Sequence, residues 1–371
     1  MRQRFLKSIK LIVVNIVVLL ILLGGMELLW RNMGYTPGVF SEAFQPREGL
    51  QFNDYFRADS AGIIRYNLHS RSLSKTPIKS TVNPQGFLSA YDFDSLPDKK
   101  DDKTFRIMAV GDSYTDGCCL ENRKNSFVGL LDNHPELSVY NFGVLGTDPL
   151  QYRLVVQEYI DQVQPDLILA FVYLGNDLMG YPRNPRPLHP IGQSSTGFGM
   201  VFMEIPFGDS IYRFDSPQES YDWQFKQMTL LDEDEPWLNR QIGKSALFTQ
   251  LYYQLMVAPK VRQNDPKIHQ LPHSANEISK MVGIAQSYDT DIMLMGVPGP
   301  VDVENQVDLK EEYQFLFGDF EWNYPDLTTF WKGDYDGPAN SNHFNRFGYL
   351  KYYLYLVDIL SYKYPEIWSH S

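Results

Sequence analysis

A serine lies in the segment Gly111-Asp112-Ser113-Tyr114-Thr115-Asp116-Gly117, directly after the short apolar run Phe105 to Val110. A hydroxyl becomes a strong nucleophile only when a base takes its proton, so a serine on a tight turn calls for a histidine elsewhere. One stands late in the chain, in Asn340-Ser341-Asn342-His343-Phe344-Asn345-Arg346-Phe347-Gly348. Two further segments could stabilise a developing oxyanion. The glycines of Asn141-Phe142-Gly143-Val144-Leu145-Gly146-Thr147-Asp148 let backbone N–H groups approach a ligand closely, and Gly175-Asn176-Asp177 offers a side-chain amide donor. Each segment also has a plainer use: Asp112 or Ser113 as a helix cap, the glycines as a turn, Asn176 in an Asx turn, His343 on the surface. The serine segment is not a G-x-S-x-G elbow, because Thr115 occupies the second glycine's place. Cys118 and Cys119 are adjacent, would form a strained ring if paired, and read as small buried residues. With no CxxC pair and no HExxH, the sequence carries no built-in zinc site.

The elements that must position these residues alternate strand and helix. Phe105 to Val110, Leu137 to Val144, Leu167 to Tyr173 and Ile292 to Val297 read as strands. Asn125 to Asn133, Gln151 to Val163, Ala275 to Ser287 and Arg346 to Tyr362 read as helices. Continuous rather than alternating apolar runs predict a parallel sheet covered on both faces. All four chemical segments fall at strand ends or just before the last helix, and open α/β sheets bind ligands beyond the carboxyl ends of their strands. Residues 31–104 form a linker or pre-domain closed by the charged stretch Asp98 to Lys103. Within the domain at 105–362, residues 178–260 read as an insertion with a helix at Ala246 to Val257; 363–371 form a tail. Trp223, Trp237, Tyr212 and Tyr221 of that insertion could stack on sugar rings or fill its core, and Tyr349, Tyr352, Tyr353 and Tyr355 of the last helix read as core.

Leu11 to Trp30 is apolar apart from Asn15 and Glu27, and Arg2, Arg4, Lys7 and Lys10 precede it without an acid. About 20 helical residues match a hydrocarbon core, and the basic front stays cytoplasmic, so this segment predicts a single-pass anchor with the body outside the cytoplasm. A cleaved signal peptide is the rival reading; no small-x-small site follows the run. The whole chain of 371 residues carries a formal charge of −12, and the part beyond the anchor is more acidic still. Such a body is repelled by phosphate backbones and by anionic bilayers, which excludes nucleic acid as a partner and makes the anchor a tether.

In order and spacing, the GDS serine, the following glycine segment, the asparagine of Gly175-Asn176-Asp177 (set against the family's G-x-N-D) and the late histidine with N-x-x-G resemble the SGNH (GDSL-type) hydrolase superfamily. The resemblance spans about Phe105 to Tyr362. Upstream, Asn83-Pro84-Gln85-Gly86-Phe87 resembles the N-x-x-G-F segment of the branch with one amino-terminal anchor. The resemblance implies a flavodoxin-like α/β/α sandwich and acyl-ester hydrolysis or transfer through a serine ester, with no metal or organic cofactor. By position it makes Ser113 the nucleophile and His343 the base. The Gly146 N–H, the Asn176 side chain and the Ser113 N–H would form the oxyanion hole. One position departs: Asn340 stands where the family has the aspartate that orients the histidine. An asparagine carbonyl can orient a ring but brings no full charge; Asp336 or Asp334 could serve instead, or a Ser-His dyad could act alone. The expected substrates are acyl esters, among them O-acetyl groups on envelope polysaccharides. The alternatives are an O-acyltransferase, a lysophospholipase, and a non-catalytic binding protein on the same fold.

Overall fold

The computed structural model describes residues 2–32, 55–67, 82–99, 103–117, 120, 122–173, 177, 203–207, 210–220, 222–223, 245, 247–248, 271–306, 310, 314, 317–335 and 343–368. The chain divides into two compact units.

The first unit combines Met1–Gln45, Arg186–Gly192 and Gln227–Asp265. Its main described element is α1, Arg2–Asn32. Val13, Leu20, Ile21 and Leu28 of α1 are exposed. Among the described residues no helix is long and apolar enough to cross a membrane. The expected transmembrane span at Leu11 to Trp30 is therefore not supported among the described residues. Glu27 accepts hydrogen bonds from Arg31 Nε at 2.7 Å, Ser245 Oγ at 2.7 Å and the Leu247 N–H at 2.9 Å. Leu247 and Phe248 are helical; the rest of the helix expected at Ala246 to Val257 lies outside the described residues, as do Cys118, Cys119, Tyr221 and Trp237.

The second unit carries the sheet. Its strands are β1 (Phe56–Ala58), β2 (Ile64–Tyr66), β3 (Phe105–Val110), β4 (Leu137–Asn141), β5 (Leu167–Tyr173), β6 (Glu204–Phe207), β7 (Ser210–Arg213), β8 (Asp291–Val297) and β9 (Trp322–Asn323). Its helices are α2 (Ser113–Asp116), α3 (Phe127–Leu131), α4 (Pro149–Val163), α5 (Leu271–Ser287), α6 (Pro300–Asn305), α7 (Arg346–Lys363) and α8 (Pro365–Trp368). Five strands form one parallel sheet in the order β4-β3-β5-β8-β9. Counted along the chain this is 2-1-3-4-5, the flavodoxin-like order, with its switch point between β3 and β5.

The pleat sends successive side chains to opposite faces, and both faces are buried. Met108, Val110, Ile168, Ala170, Val172 and Leu294 pack on one side with Tyr152, Val156 and Ile160 of α4 and Ile278, Met281 and Ala285 of α5. Ile107, Ala109, Leu169, Phe171, Met293 and Met295 pack on the other with Phe127 and Leu131 of α3 and Tyr349, Tyr352, Leu356 and Leu360 of α7. Tyr349 and Tyr352 are thus core residues. Burial on both faces explains why β5 is continuously apolar and β3 is apolar apart from Arg106, whose buried guanidinium donates to the Val163 and Pro97 carbonyls.

Residues upstream of β3 join the first of these cores. Phe56, Ile64, Tyr66, Phe87 and Phe93 are buried with Phe142 and Tyr159, and β1 and β2 form an antiparallel pair with Phe56 opposite Tyr66. The Asn83–Phe87 segment is a turn tied to β2. The Phe87 N–H donates to Asn83 Oδ1 at 2.8 Å, and the Tyr66 N–H donates to the Gly86 carbonyl at 2.8 Å. Gly86 has φ of +94°, and a Cβ there would lie 2.8 Å from Arg65 Cβ and 2.9 Å from the Tyr66 carbonyl oxygen. Only glycine fits that turn.

In the stretch expected as an insertion, β6 and β7 form an antiparallel hairpin. Trp223 packs against Tyr212 and Phe214, with ring centroids 4.9 Å and 5.6 Å apart.

Candidate active site

β3 ends at Val110, and the chain turns at Gly111 into α2. Asp112 caps that helix, its Oδ1 accepting the Tyr114 N–H at 2.9 Å. The capping use considered for Asp112 is therefore real. It leaves Ser113 in the first helical position, buried, with its hydroxyl facing two acceptors. His343 Nε2 lies 2.6 Å from Ser113 Oγ, and Asp112 Oδ2 lies 3.1 Å from it. The productive arrangement has Oγ donating to an unprotonated Nε2. Burial raises the Asp112 carboxyl above its ordinary range; the Tyr114 N–H, the His343 charge and the Ser113 hydroxyl oppose that rise.

His343 is brought 230 residues along the chain to Ser113 by its neighbours. Phe344 is fully buried against Tyr114, Phe330, Tyr335, Tyr349 and Tyr352. Asn345 caps α7, its Oδ1 accepting from the Phe347 and Gly348 N–H groups, while its Nδ2 donates to the Gly333 carbonyl at 2.7 Å. A Cβ on Gly348 would stand 2.4 Å from the Asp334 carbonyl oxygen. The Asn345–Gly348 pair is thus the hinge pin of the histidine loop: asparagine starts the helix and glycine lets it approach the preceding segment. The Tyr114 ring underlies the imidazole, with centroids 4.9 Å apart.

The Asn141–Asp148 loop is laced to the serine turn. Val144 N donates to the Gly111 carbonyl at 3.2 Å, and Asn141 Nδ2 donates to the Thr115 carbonyl at 3.1 Å. A Cβ on Gly143 would lie 2.3 Å from the Asp116 nitrogen, so the loop lies directly on α2. Gly146 follows with φ of +75°. Tyr66 reaches this loop from β2: its hydroxyl donates to Asp116 Oδ2 at 3.1 Å and accepts the Leu145 N–H at 2.9 Å.

After β5, Asp177 folds back on its strand. Its Oδ2 accepts from the Tyr173 N–H at 2.8 Å and the Tyr152 hydroxyl at 2.7 Å. Burial, reinforced by the nearby charge of Asp112, holds its carboxyl well above the usual range. Asp148 caps α4, and burial pushes its carboxyl up to about 7, with Glu277 and Glu204 adding to the rise.

The structure therefore brings Ser113 and His343 together and lays the Gly146 loop on the serine helix. Asn176, Asn340 and Asp336 lie outside the described residues. Asp334 is engaged through one oxygen: its Oδ2 accepts from Lys351 Nζ at 2.7 Å and the Trp331 N–H at 2.9 Å, bonds that hold α7 and the turn before it. Among the described residues no group of three metal-ligating side chains is present. Sequence reasoning passed over Tyr66, a lone tyrosine in a segment without helical or strand period, where nothing local marks a residue that acts across the fold.

No family model matches the sequence, and no curated protein does. Among solved structures the chain is similar to a protein assigned to the lipolytic G-D-S-L family from Desulfitobacterium hafniense DCB-2. Identity there is 14%, over 68% of this chain and 99% of the other, with a TM-score of 0.35. It is also similar to a GDSL-like lipase from Bacteroides thetaiotaomicron VPI-5482, at 10% identity, 72% and 93% coverage and a TM-score of 0.33. A third similarity is to LAE5, an alpha/beta hydrolase enzyme from the metagenome of Lake Arreo, Spain, at 13% identity, 68% and 93% coverage and a TM-score of 0.27. Likeness at this level does not by itself establish a shared fold; the sheet order and the two covered faces stand on the chain's own geometry.

Proposed function

We propose that the protein is a serine esterase of the SGNH type that acts on acyl esters, with O-acetyl groups on envelope polysaccharides as the favoured substrate class. The observation that carries this reading is the 2.6 Å contact between Ser113 Oγ and His343 Nε2 at the carboxyl end of β3, beside the sheet's switch point. In the reaction, Ser113 Oγ attacks the ester carbonyl as His343 takes its proton. The tetrahedral oxyanion is met by the N–H groups of Ser113 and Gly146 and by the Asn176 side chain. His343 returns the proton to the leaving alcohol, and water, activated by the same imidazole, releases the acid from the acyl-serine. The sequence pattern alone, a basic front from Arg2 to Lys10 before the apolar run Leu11 to Trp30, supports a tether with the body outside the cytoplasm.

Labelling with a fluorophosphonate probe tests the reading. Wild-type protein should take up one probe at Ser113, identified by mass spectrometry of the labelled peptide, and should lose ester hydrolysis in proportion. A folded protein with no adduct at Ser113 would remove the esterase assignment and leave a binding protein.

A further inference from the structure

The Asn83–Phe87 turn plays no part in the chemistry above, yet the strand it holds ends on the site. We propose that Tyr66 is a positioning residue for the oxyanion-binding turn at Leu145–Gly146 and that the Asn83–Phe87 turn exists to hold it there. This inference rests on the Ser113–His343 reading. Asp116 ends the short helix that begins at Ser113, and Leu145 immediately precedes Gly146. A single phenol oxygen bridges the two, donating to the Asp116 carboxylate at 3.1 Å and accepting the Leu145 N–H at 2.9 Å. Its position sets the spacing between the nucleophile's helix and the turn that presents the oxyanion donor. Donation to a carboxylate also makes the oxygen a better acceptor for the N–H, because linked hydrogen bonds polarise one another.

Tyrosine suits this task because its ring is rigid and buried while its hydroxyl is both donor and acceptor. The strand carrying it is clamped on each flank. On one side the Tyr66 N–H is bound to the Gly86 carbonyl, and Phe87 packs on Phe142 of the same loop, with centroids 4.9 Å apart. On the other, Gln151 in the first turn of α4 accepts the Ile64 N–H at 2.9 Å and donates to the Gly62 carbonyl at 3.0 Å. The Leu145–Gly146 turn is thus gripped between a phenol in front and an anchored helix behind. A buried tyrosine that only filled the core would not need to join these two loops.

Tyr66→Phe keeps the ring and removes the bridge; Asp116 retains Arg123 as a partner at 3.6 Å. The test uses the full chain in detergent, with an aryl acetate as substrate, a fluorophosphonate for labelling at Ser113 and a trifluoromethyl ketone that forms a serine-bound oxyanion. Tyr66→Phe should lower kcat and the labelling rate about 10- to 100-fold, the order expected for a misplaced donor, with KM within about 2-fold. Ketone affinity should fall in step with kcat. Gly86→Ala, which leaves the phenol but forces β2 aside, should show the same pattern. Tyr91→Phe serves as the control: it loses a comparable phenol–carboxylate bond, to Asp132 at 2.8 Å, and should lower the melting temperature with kcat unchanged. Wild-type kcat and labelling in Tyr66→Phe would overturn the inference, as would an equal loss of kcat in Tyr91→Phe. Absence of any adduct in the wild type would instead sink the nucleophile reading on which it rests.

Discussion

Ser113 Oγ has one hydrogen and two acceptors within reach, and the shorter contact, to His343, is the one on which the proposed chemistry rests. Ser113→Ala should therefore abolish ester hydrolysis by several orders of magnitude and leave the fold intact, measured as initial rate beside circular dichroism. Undiminished turnover would end the mechanism. The histidine's orienting partner is decided by comparing three carboxyl or amide positions. Asp334 is engaged by Lys351 and the Trp331 N–H, so Asp334→Ala should act on stability, lowering the melting temperature by the equivalent of about 1–3 kcal/mol. If Asn340 faces the ring, Asn340→Asp should raise the plateau rate and shift the pH–rate profile toward higher pH, because a carboxylate stabilises the imidazolium. If Asp336 holds it, Asp336→Ala should be the damaging change. A pH–rate profile for each variant separates the two. The serine, the histidine and the glycine loop were legible because each sits in a short motif of distinctive residue types. Tyr66 was not, since its partners at 116 and 145 lie far along the chain and nothing near it in sequence hints at them.

The elements show where periodicity carries information and where it stops. β3 and β5 begin and end where their apolar runs do, because burial on both faces writes these strands in hydrophobic residues, Arg106 apart. The second run was expected to continue to Val144, but the strand stops at Asn141, whose Oδ1 accepts the Gly143 N–H and turns the chain toward α2. Short elements escaped: β1, β2 and the two-residue β9 are too brief for any period to register, whereas the four-residue α2 was marked by its cap at Asp112. α4 starts earlier than its amphipathic stretch because Asp148 caps it and Pro149 opens it, a boundary signal independent of hydrophobic pattern. At this scale Gly143→Ala is the sharp perturbation. Its methyl would meet backbone, which cannot rotate away, so the loop must lift off α2. Overpacking of this kind costs about 1–3 kcal/mol, and the accompanying shift should lower kcat. Gly283→Ala, where the added carbon meets nothing outside its own helix, should leave kcat unchanged and raise stability by about 0.5–1 kcal/mol, as alanine does in a helix interior.

For the molecule as a whole, Asp148 is one of several buried carboxyls, with Asp112 and Asp177, through which pH acts. Its folded-state value, about 7, lies above the ~3.9 of an unfolded aspartate, so the folded chain keeps a proton that the unfolded chain releases. That contribution is complete below about pH 4 and is lost as pH rises through about 7. Asp148→Asn keeps an oxygen for the cap and stays neutral throughout. Its melting temperature should gain on the wild type by a few degrees between pH 5 and pH 8, and parallel curves would refute the assignment. The tether is tested by fractionation: full-length protein should sediment with membranes and resist carbonate extraction, and its recovery in the soluble fraction would exclude a tether. The 230-residue separation of Ser113 and His343 sets a schedule as well as a geometry. A chain that is made or exported from its amino terminus completes β3 and its nucleophile early, but the base arrives only with the segment leading into α7. Parallel sheets with such distant partners assemble slowly. Until α7 docks, Ser113 lacks the imidazole on which the proposed chemistry depends, so on that reading the emerging polypeptide passes through most of its synthesis chemically silent.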